Sequence, residues 1–231
     1  MAKRFQQVAI VPCGGSGARF GGHLPKQYLP LLDATVLHHT LAALEAVAAI
    51  EHVYVGVQPD DELARNIAAP FSRVSVLPSA GQTRSITVLQ TLNSIRSHLS
   101  RDAWVLVHDA ARPCVNPADI ERLMTELQSH PVGGLLALPL TDTVKRVAGN
   151  AEVIETVDRS QLWRALTPQM FRGDTLAHAL AAAPNATDES QAIEALGLSP
   201  KIIAGDASNL KITFPEDLQQ AARILLARKT P

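Results

Sequence analysis

The chain has 231 residues, 46% of them apolar and 19% charged, with a formal net charge of −1; that suffices for one substantial core and sits near the upper size of a single α/β domain. So even a balance excludes the basic surface that nucleic acid demands, and no apolar run approaches the ~18 residues of a membrane span. The N-terminus MAKRFQQ enters the first apolar run without a signal-peptide core, and Cys13 and Cys114 lack metal-ligand spacing, so a cytoplasmic protein without structural zinc is expected.

The first element is the run Val8, Ala9, Ile10, Val11, continuously apolar as in a strand buried on both faces of a parallel sheet. Pro12 ends it, and Gly14, Gly15 and Gly17 follow, where the absence of Cβ atoms lets successive N–H groups turn toward an anion. Arg19 and Lys26 add two cations downstream. Neither well-known phosphate loop fits: a dinucleotide fingerprint started at Gly15 reaches Phe20 where its last glycine should stand, and Gly22 is followed by His23 and Leu24 rather than Lys-Ser/Thr. An ordinary strand-to-helix turn is the alternative reading of the bare glycines.

Helical spacing over Ala34 to Ile50, a strand at Val53 to Val57, a helix from Asp60 to Ala69 and a strand at Val74 to Leu77 continue the alternation that predicts a parallel sheet. Gly81 opens a second turn, into a helix with Ile86, Leu89, Leu92, Ile95 and Leu99 inside. Arg84, Ser85 and Thr87 occupy its first turn, where free N–H groups favour an anion or simply a cap. Trp104 to His108 is the next strand, and Asp109 directly follows it, at the carboxyl edge where open α/β sheets bind ligands. A metal ligand, a helix N-cap and an ion pair with Arg112 are the competing roles for that carboxylate.

A helix over Pro117 to Ser129 and a strand over Gly134 to Leu138 follow. The period then changes to two, around the turn Ala148-Gly149-Asn150, which predicts an antiparallel hairpin from Thr143 to Val157. A hairpin inserted in a parallel pattern is poorly covered by its own domain and is a candidate dimer arm. Leu162 to Phe171 is predicted to be extended, Asp174 to Ala183 and Asp188 to Leu196 helical with a cap near Thr187, Lys201 to Ala204 a strand, and Pro215 the start of a helix packing Leu218, Ala222, Leu225 and Leu226 inward.

PCGGSGARF with LPKQY, HDAARP at 108 to 113, DTVKR at 142 to 146, TVDR at 156 to 159, LWRALTPQ at 162 to 169, TDE at 187 to 189 and NLKIT at 209 to 213 together resemble, in order and over nearly the whole chain, the 2-C-methyl-D-erythritol 4-phosphate cytidylyltransferases of the nucleotidyltransferase superfamily. Cys13-Gly14 departs from that pattern, in which two alanines are usual. The resemblance implies one Rossmann-like α/β domain over 1–231, a mostly parallel sheet flanked by helices with an inserted antiparallel hairpin at about 142–160 as the arm of a homodimer. It implies cytidylyl transfer from CTP to 2-C-methyl-D-erythritol 4-phosphate with release of pyrophosphate, in non-mevalonate isoprenoid synthesis, with Mg²⁺ as cofactor; transfer to another polyol phosphate, or nucleotide binding without catalysis, are the alternatives.

Residue by residue, the resemblance makes Arg19, Lys26 and Lys211 catalytic. Pro12, Cys13, Gly14, Gly15, Gly17, Gly81, Arg84, Thr87 and Asp109 become nucleotide-binding, with Asp109 also the metal ligand. Thr143, Arg159 and Thr187 would take the substrate's own phosphate.

Overall fold

In the computed structural model, residues 5–15 and 24–229 are described. The first half of the chain forms β1 (Phe5–Pro12), the short pair β2 (Pro30–Leu31) and β3 (Ala34–Thr35), α1 (Val36–Glu45), β4 (His52–Gly56), α2 (Glu62–Ala68), β5 (Val74–Leu77), α3 (Arg84–Ile95) and β6 (Leu99–Val107). The second half adds α4 (Pro117–Leu127), β7 (Gly133–Pro139), β8 (Val144–Val147), β9 (Val153–Val157), β10 (Trp163–Arg172), α5 (Gly173–Ala182), α6 (Glu189–Glu194), β11 (Lys201–Ala204) and α7 (Pro215–Lys229).

Seven strands share one sheet in the order β11-β7-β10-β6-β1-β4-β5. β1 runs parallel to β4 and β6, β4 to β5, and β11 to β7, while β10 is antiparallel to both of its neighbours. The unbroken apolar run of β1 follows from helices on both sides. Ala9 and Val11 pack with Leu37, Leu41 and Leu44 of α1 and Ile120 and Leu123 of α4. Val8 and Ile10 face the opposite way, into Val88, Leu92 and Ile95 of α3 and Leu176 and Leu180 of α5. The expected mostly parallel α/β sheet is therefore present, with one antiparallel strand near its middle.

Several boundaries differ from the sequence expectation for physical reasons. α1 begins only at Val36, because Ala34 and Thr35 pair with β2 and the Thr35 hydroxyl caps the helix by accepting from His38 N at 3.2 Å. It also stops at Glu45, well short of Ile50, although Val47 and Ile50 remain buried. Leu99 is buried as the first residue of β6, not on the inner face of α3. α6 is capped by Asp188, which accepts from Gln191 N, and not by Thr187. In α7 it is Ala221 that is fully buried, while Leu226 is 52% exposed.

β8 and β9 form a two-stranded antiparallel sheet of their own. Val147, Val153 and Ile154 are more than half exposed on it, an apolar content that a solvated hairpin does not require.

Candidate active site

A cleft of about 340 Å³ opens outside the carboxyl ends of β1, β5 and β6, where an open α/β sheet offers loops rather than paired strand backbone. Pro12 to Gly15 form one wall, Gly81 to Arg84 with Thr87 another, Asp109 to Ala111 the floor, and Lys26, Lys211 and Thr213 complete it.

The glycine-bearing wall is tied down by β4 and by side chains from elsewhere. Cys13 N donates to Gly56 O at 2.8 Å, Gln27 Nε2 donates to Cys13 O and Gly15 O at 3.3 and 3.2 Å, and Gln58 Nε2 donates to Gly14 O at 3.3 Å. Tyr28, one residue on, donates its hydroxyl to the Asp61 carboxylate that also caps α2, and its oxygen lies 3.6 Å from Cys13 Sγ. The helical turn Lys26–Tyr28 is thus held from two sides beside the loop, and Lys26 at its start lines the cleft. Burial pushes the Cys13 thiol up to about 12, so it stays protonated and acts as packing.

The opposite wall is the first turn of α3. Thr83 caps it by accepting from Ile86 N at 3.2 Å, and the Thr87 hydroxyl donates to Thr83 O while accepting from Gly81 N, both at 3.0 Å. Arg84, the first helical residue, reaches across to the floor with Nε 2.8 Å from Asp109 Oδ1.

Asp109 is the electrostatic centre. Its Oδ1 accepts from Arg84, and its Oδ2 lies 3.2 Å from Arg112 Nε and 2.9 Å from Lys211 Nζ. Burial alone would raise its pKa, but Arg84, then Lys211 and Arg112, hold the carboxyl well below the usual carboxylate range. Of the competing roles for Asp109, the ion pair with Arg112 is realised and the N-cap is not, since α4 is capped by Asn116. Behind it His108 is buried and its pKa falls to about 4, mainly through desolvation, so the ring is neutral. Thr167 of β10 sits 2.9 Å from His108 Nδ1 and accepts from Asp109 N at 3.1 Å. Arg112 Nη1 donates to Asn209 O at 2.8 Å and Asn209 Nδ2 to Thr167 O at 2.7 Å, which fixes the segment carrying Lys211.

The structure therefore brings Pro12, Cys13, Gly14, Gly15, Lys26, Gly81, Arg84, Thr87, Asp109 and Lys211 into one cleft. Gly17 and Arg19 lie outside the described residues. Thr143 and Arg159 are exposed at the base of the hairpin, where Arg159 donates to Thr141 O, and neither lines the cleft. Thr187 lines a separate recess of about 370 Å³ with Trp163. Sequence reasoning passed over Gln27, Asn209 and Glu189, the last a fully buried carboxylate 2.6 Å from Arg84 Nη1. The signal for them was available, since each lies inside one of the motifs PKQY, NLKIT and TDE.

The model of the 2-C-methyl-D-erythritol 4-phosphate cytidylyltransferase family matches residues 7–227. A protein of that name from Dechloromonas aromatica strain RCB is 48% identical over 226 residues, covering 97% of this chain and 99% of its own. Another from Vibrio cholerae is 46% identical, covering 96% of this chain and 97% of its own. A crystal structure described as 4-diphosphocytidyl-2C-methyl-D-erythritol synthase superposes with a TM-score of 0.85 at 37% identity, covering 97% of this chain and all of the other. The Francisella tularensis cytidylyltransferase gives 0.81 at 32%, covering 95% of this chain and 99% of its own. With its fold, its cleft and nearly its whole length matched, the chain belongs to the 2-C-methyl-D-erythritol 4-phosphate cytidylyltransferase family.

Proposed function

We propose that this cleft carries the family's reaction, transferring a cytidylyl group from CTP to 2-C-methyl-D-erythritol 4-phosphate to give 4-diphosphocytidyl-2-C-methyl-D-erythritol and pyrophosphate in isoprenoid synthesis. The observation that carries this reading is the meeting of Lys26, Arg84 and Lys211 around the glycine segment and Asp109 in a single cleft of a family member.

A phosphate oxygen of the alcohol phosphate attacks the α-phosphorus, forming the new P–O bond as the bond to the β-phosphate oxygen breaks, and pyrophosphate leaves with that electron pair. The nucleophile is already anionic, so no protein base is needed; the obstacle is bringing two polyanions together while charge grows on the leaving group. Lys26, with Arg19, meets charge on the α-phosphate and the leaving pyrophosphate. Lys211, held 2.9 Å from Asp109 yet still 38% exposed, meets charge on the attacking side. Pro12 to Gly15, Gly17, Gly81, Arg84 and Thr87 receive the nucleotide, whose base offers a donor amine and acceptor carbonyl that backbone groups can match.

One carboxylate position is open to a divalent cation held mainly by the substrates' phosphates. A carboxylate has about four acceptor positions, and among the described residues Asp109 accepts from three cations, one on Oδ1 and two on Oδ2, which leaves a position on Oδ1. Mg²⁺ is commonly held by one or two carboxylates with substrate phosphates and water completing its shell. Bound there it would neutralise charge on the phosphate oxygens.

The exposed apolar face of the β8–β9 hairpin, at about 142–160, supports its reading as the arm of a homodimer in which Thr143 and Arg159 reach the partner's cleft. On this view residues 1–231 are one nucleotidyltransferase domain, and Thr187 joins the same phosphate site once the arms cross. Two buried, unpaired cysteines suit the cytoplasm, and no helix among the described residues is long and apolar enough to cross a membrane.

The test is direct. Purified protein given CTP, Mg²⁺ and 2-C-methyl-D-erythritol 4-phosphate should release pyrophosphate and form the cytidine diphosphate conjugate, identified by mass. Excess chelator should stop turnover and added Mg²⁺ restore it. Turnover only with a different polyol phosphate would overturn the assignment of substrate, and full activity in chelator would overturn that of the metal.

A further inference from the structure

Glu189 is a buried carboxylate beside the cleft that the reaction above leaves unused. It opens α6, yet capping belongs to Asp188, which accepts from Gln191 N at 2.9 Å and from Gln169 Nε2 at 3.0 Å. The next residue is fixed as well, Ser190 N donating to Gln169 Oε1 at 2.7 Å. The backbone at 189 is therefore anchored to β10 whatever its side chain does. That side chain is wholly buried. Its Oε1 accepts from Arg84 Nη1 at 2.6 Å, and among the described residues neither its Oε2 nor Arg84 Nη2 finds a hydrogen-bond partner. A carboxylate so placed is a poor source of stability, because desolvation offsets most of what one ion pair returns; removing one partner usually strands the other charge, but here Arg84 keeps its bond to Asp109. A charge buried at that cost calls for another role.

The geometry supplies one. Arg84 spans two carboxylates, Nε on Asp109 and Nη1 on Glu189. We propose that Glu189 is a positioning residue for the transfer: it fixes the guanidinium of Arg84, so that Asp109 keeps its place on the cleft floor and Lys211 stays available to the reacting phosphates. This rests on the cytidylyl-transfer reading of the cleft. In the connected set, Asp109 and Glu189 stand against Arg84, Arg112 and Lys211, two negative charges against three positive. The surplus cation that faces solvent is Lys211, since the side chains of Arg84 and Arg112 are 24% and 10% exposed against 38% for Lys211. With the charge of Glu189 removed, Asp109 alone balances three cations, and Arg84 loses the contact that sets its rotation. Burial raises the pKa of Glu189 even against the attraction of Arg84, and Arg84 keeps its bond to Asp109, so the folding penalty of a neutral isostere is limited.

The experiment is steady-state kinetics with CTP and 2-C-methyl-D-erythritol 4-phosphate, read beside urea unfolding. The parent must turn over first; if it does not, the reaction reading fails and not this one. For Glu189→Gln the expected result is an unfolding midpoint close to the parent's, with kcat lower by about tenfold or more and KM for CTP changed less, as for a displaced reacting group. Arg84→Lys keeps the charge but cannot span both carboxylates, and adding Glu189→Gln to it should cause no further loss, because the effect travels through Arg84. Kinetics of Glu189→Gln within twofold of the parent, a midpoint that falls together with activity, or a loss that multiplies onto that of Arg84→Lys would each overturn the proposal. If Glu189→Gln does not fold, Glu189→Asp is read instead: a tenfold loss in folded protein supports the proposal, and full turnover with the carboxylate withdrawn by one methylene overturns it.

Discussion

A Cβ placed on Gly14 would stand 2.4 Å from the Cβ of Ala80. The resemblance puts alanine at position 14, and in this chain the methyl group of Ala80 fills the space beside Gly14 instead. Gly14→Ala is predicted to overpack the loop and lower stability by about 1–3 kcal/mol. Ala80→Gly added to it should recover most of that loss, a coupling of about 0.5–3 kcal/mol for residues in contact. Urea unfolding of the four proteins checks this. If the two changes simply add, the glycine has some other reason.

The place of Lys26 is set by its neighbours, through Gln27 on the loop carbonyls and Tyr28 on Asp61. Lys26→Ala should lower kcat by roughly 10²-fold with much less effect on KM, the scale of losing one preorganised donor to developing charge. Its unfolding midpoint should barely move. Turnover within a few-fold of the parent would remove Lys26 from the catalytic set.

The fold was legible wherever hydrophobic period and turn chemistry agreed. The run at Val8 and the alternation after it identified the parallel part of the sheet, because burial on both faces leaves continuous apolar strands. The antiparallel direction of β10 was not legible, since an extended run between the hairpin and α5 reads the same either way. Leu99 was misassigned because its spacing continues that of α3, and only its pairing with Phe5 at the start of β6 claims it. In the site, residue types and motif order found the cations and Asp109. The motif TDE contained Glu189 but did not give its role, which comes from Arg84, 105 positions earlier, and from a burial that composition does not report.

The crossing-arm reading has a sharp consequence for mixtures, motivated by the exposed apolar hairpin and by the absence of Thr143 and Arg159 from the cleft of their own chain. Dimers of Lys26→Ala and of Arg159→Ala should each be nearly inactive. Unfolded together and refolded, half the dimers are mixed, and each mixed dimer has one complete site of two. Roughly a quarter of parental activity should therefore return if the sites act independently. A mixture shown to contain mixed dimers yet as inactive as its parents would mean that Arg159 serves its own chain.

Both thiols should resist alkylation in the folded protein. Burial pushes Cys13 up to about 12 and Cys114 up to about 11, from an ordinary 9.0, so at pH 8 only about one Cys114 in a thousand is a thiolate, and fewer for Cys13. Iodoacetamide followed by intact mass should give no adduct until denaturant is added. The same shifts set a sign for stability. The unfolded chain loses these protons near pH 9 and the folded chain does not, so raising the pH from 9 to 11 favours unfolding. Rapid stoichiometric labelling of native protein would contradict the burial of these groups.

β10 lies between β6 and β7, although both precede it in the chain. On the ribosome, the half-sheet β5-β4-β1-β6 can therefore form early, but β7 has nothing to join it to until residues 163–172 have emerged. The glycine segment, the first turn of α3 and Asp109 belong to the early half, whereas Thr167, Glu189 and Lys211 arrive only with or after the strand that closes the gap. A nascent chain thus carries Asp109 for some 50 residues of synthesis before β10 begins to supply Thr167, whose hydroxyl accepts from its backbone N–H, and about 100 before Lys211 completes its set of cations. The timing of translation, as well as the finished geometry, bears on how this centre avoids misassembly.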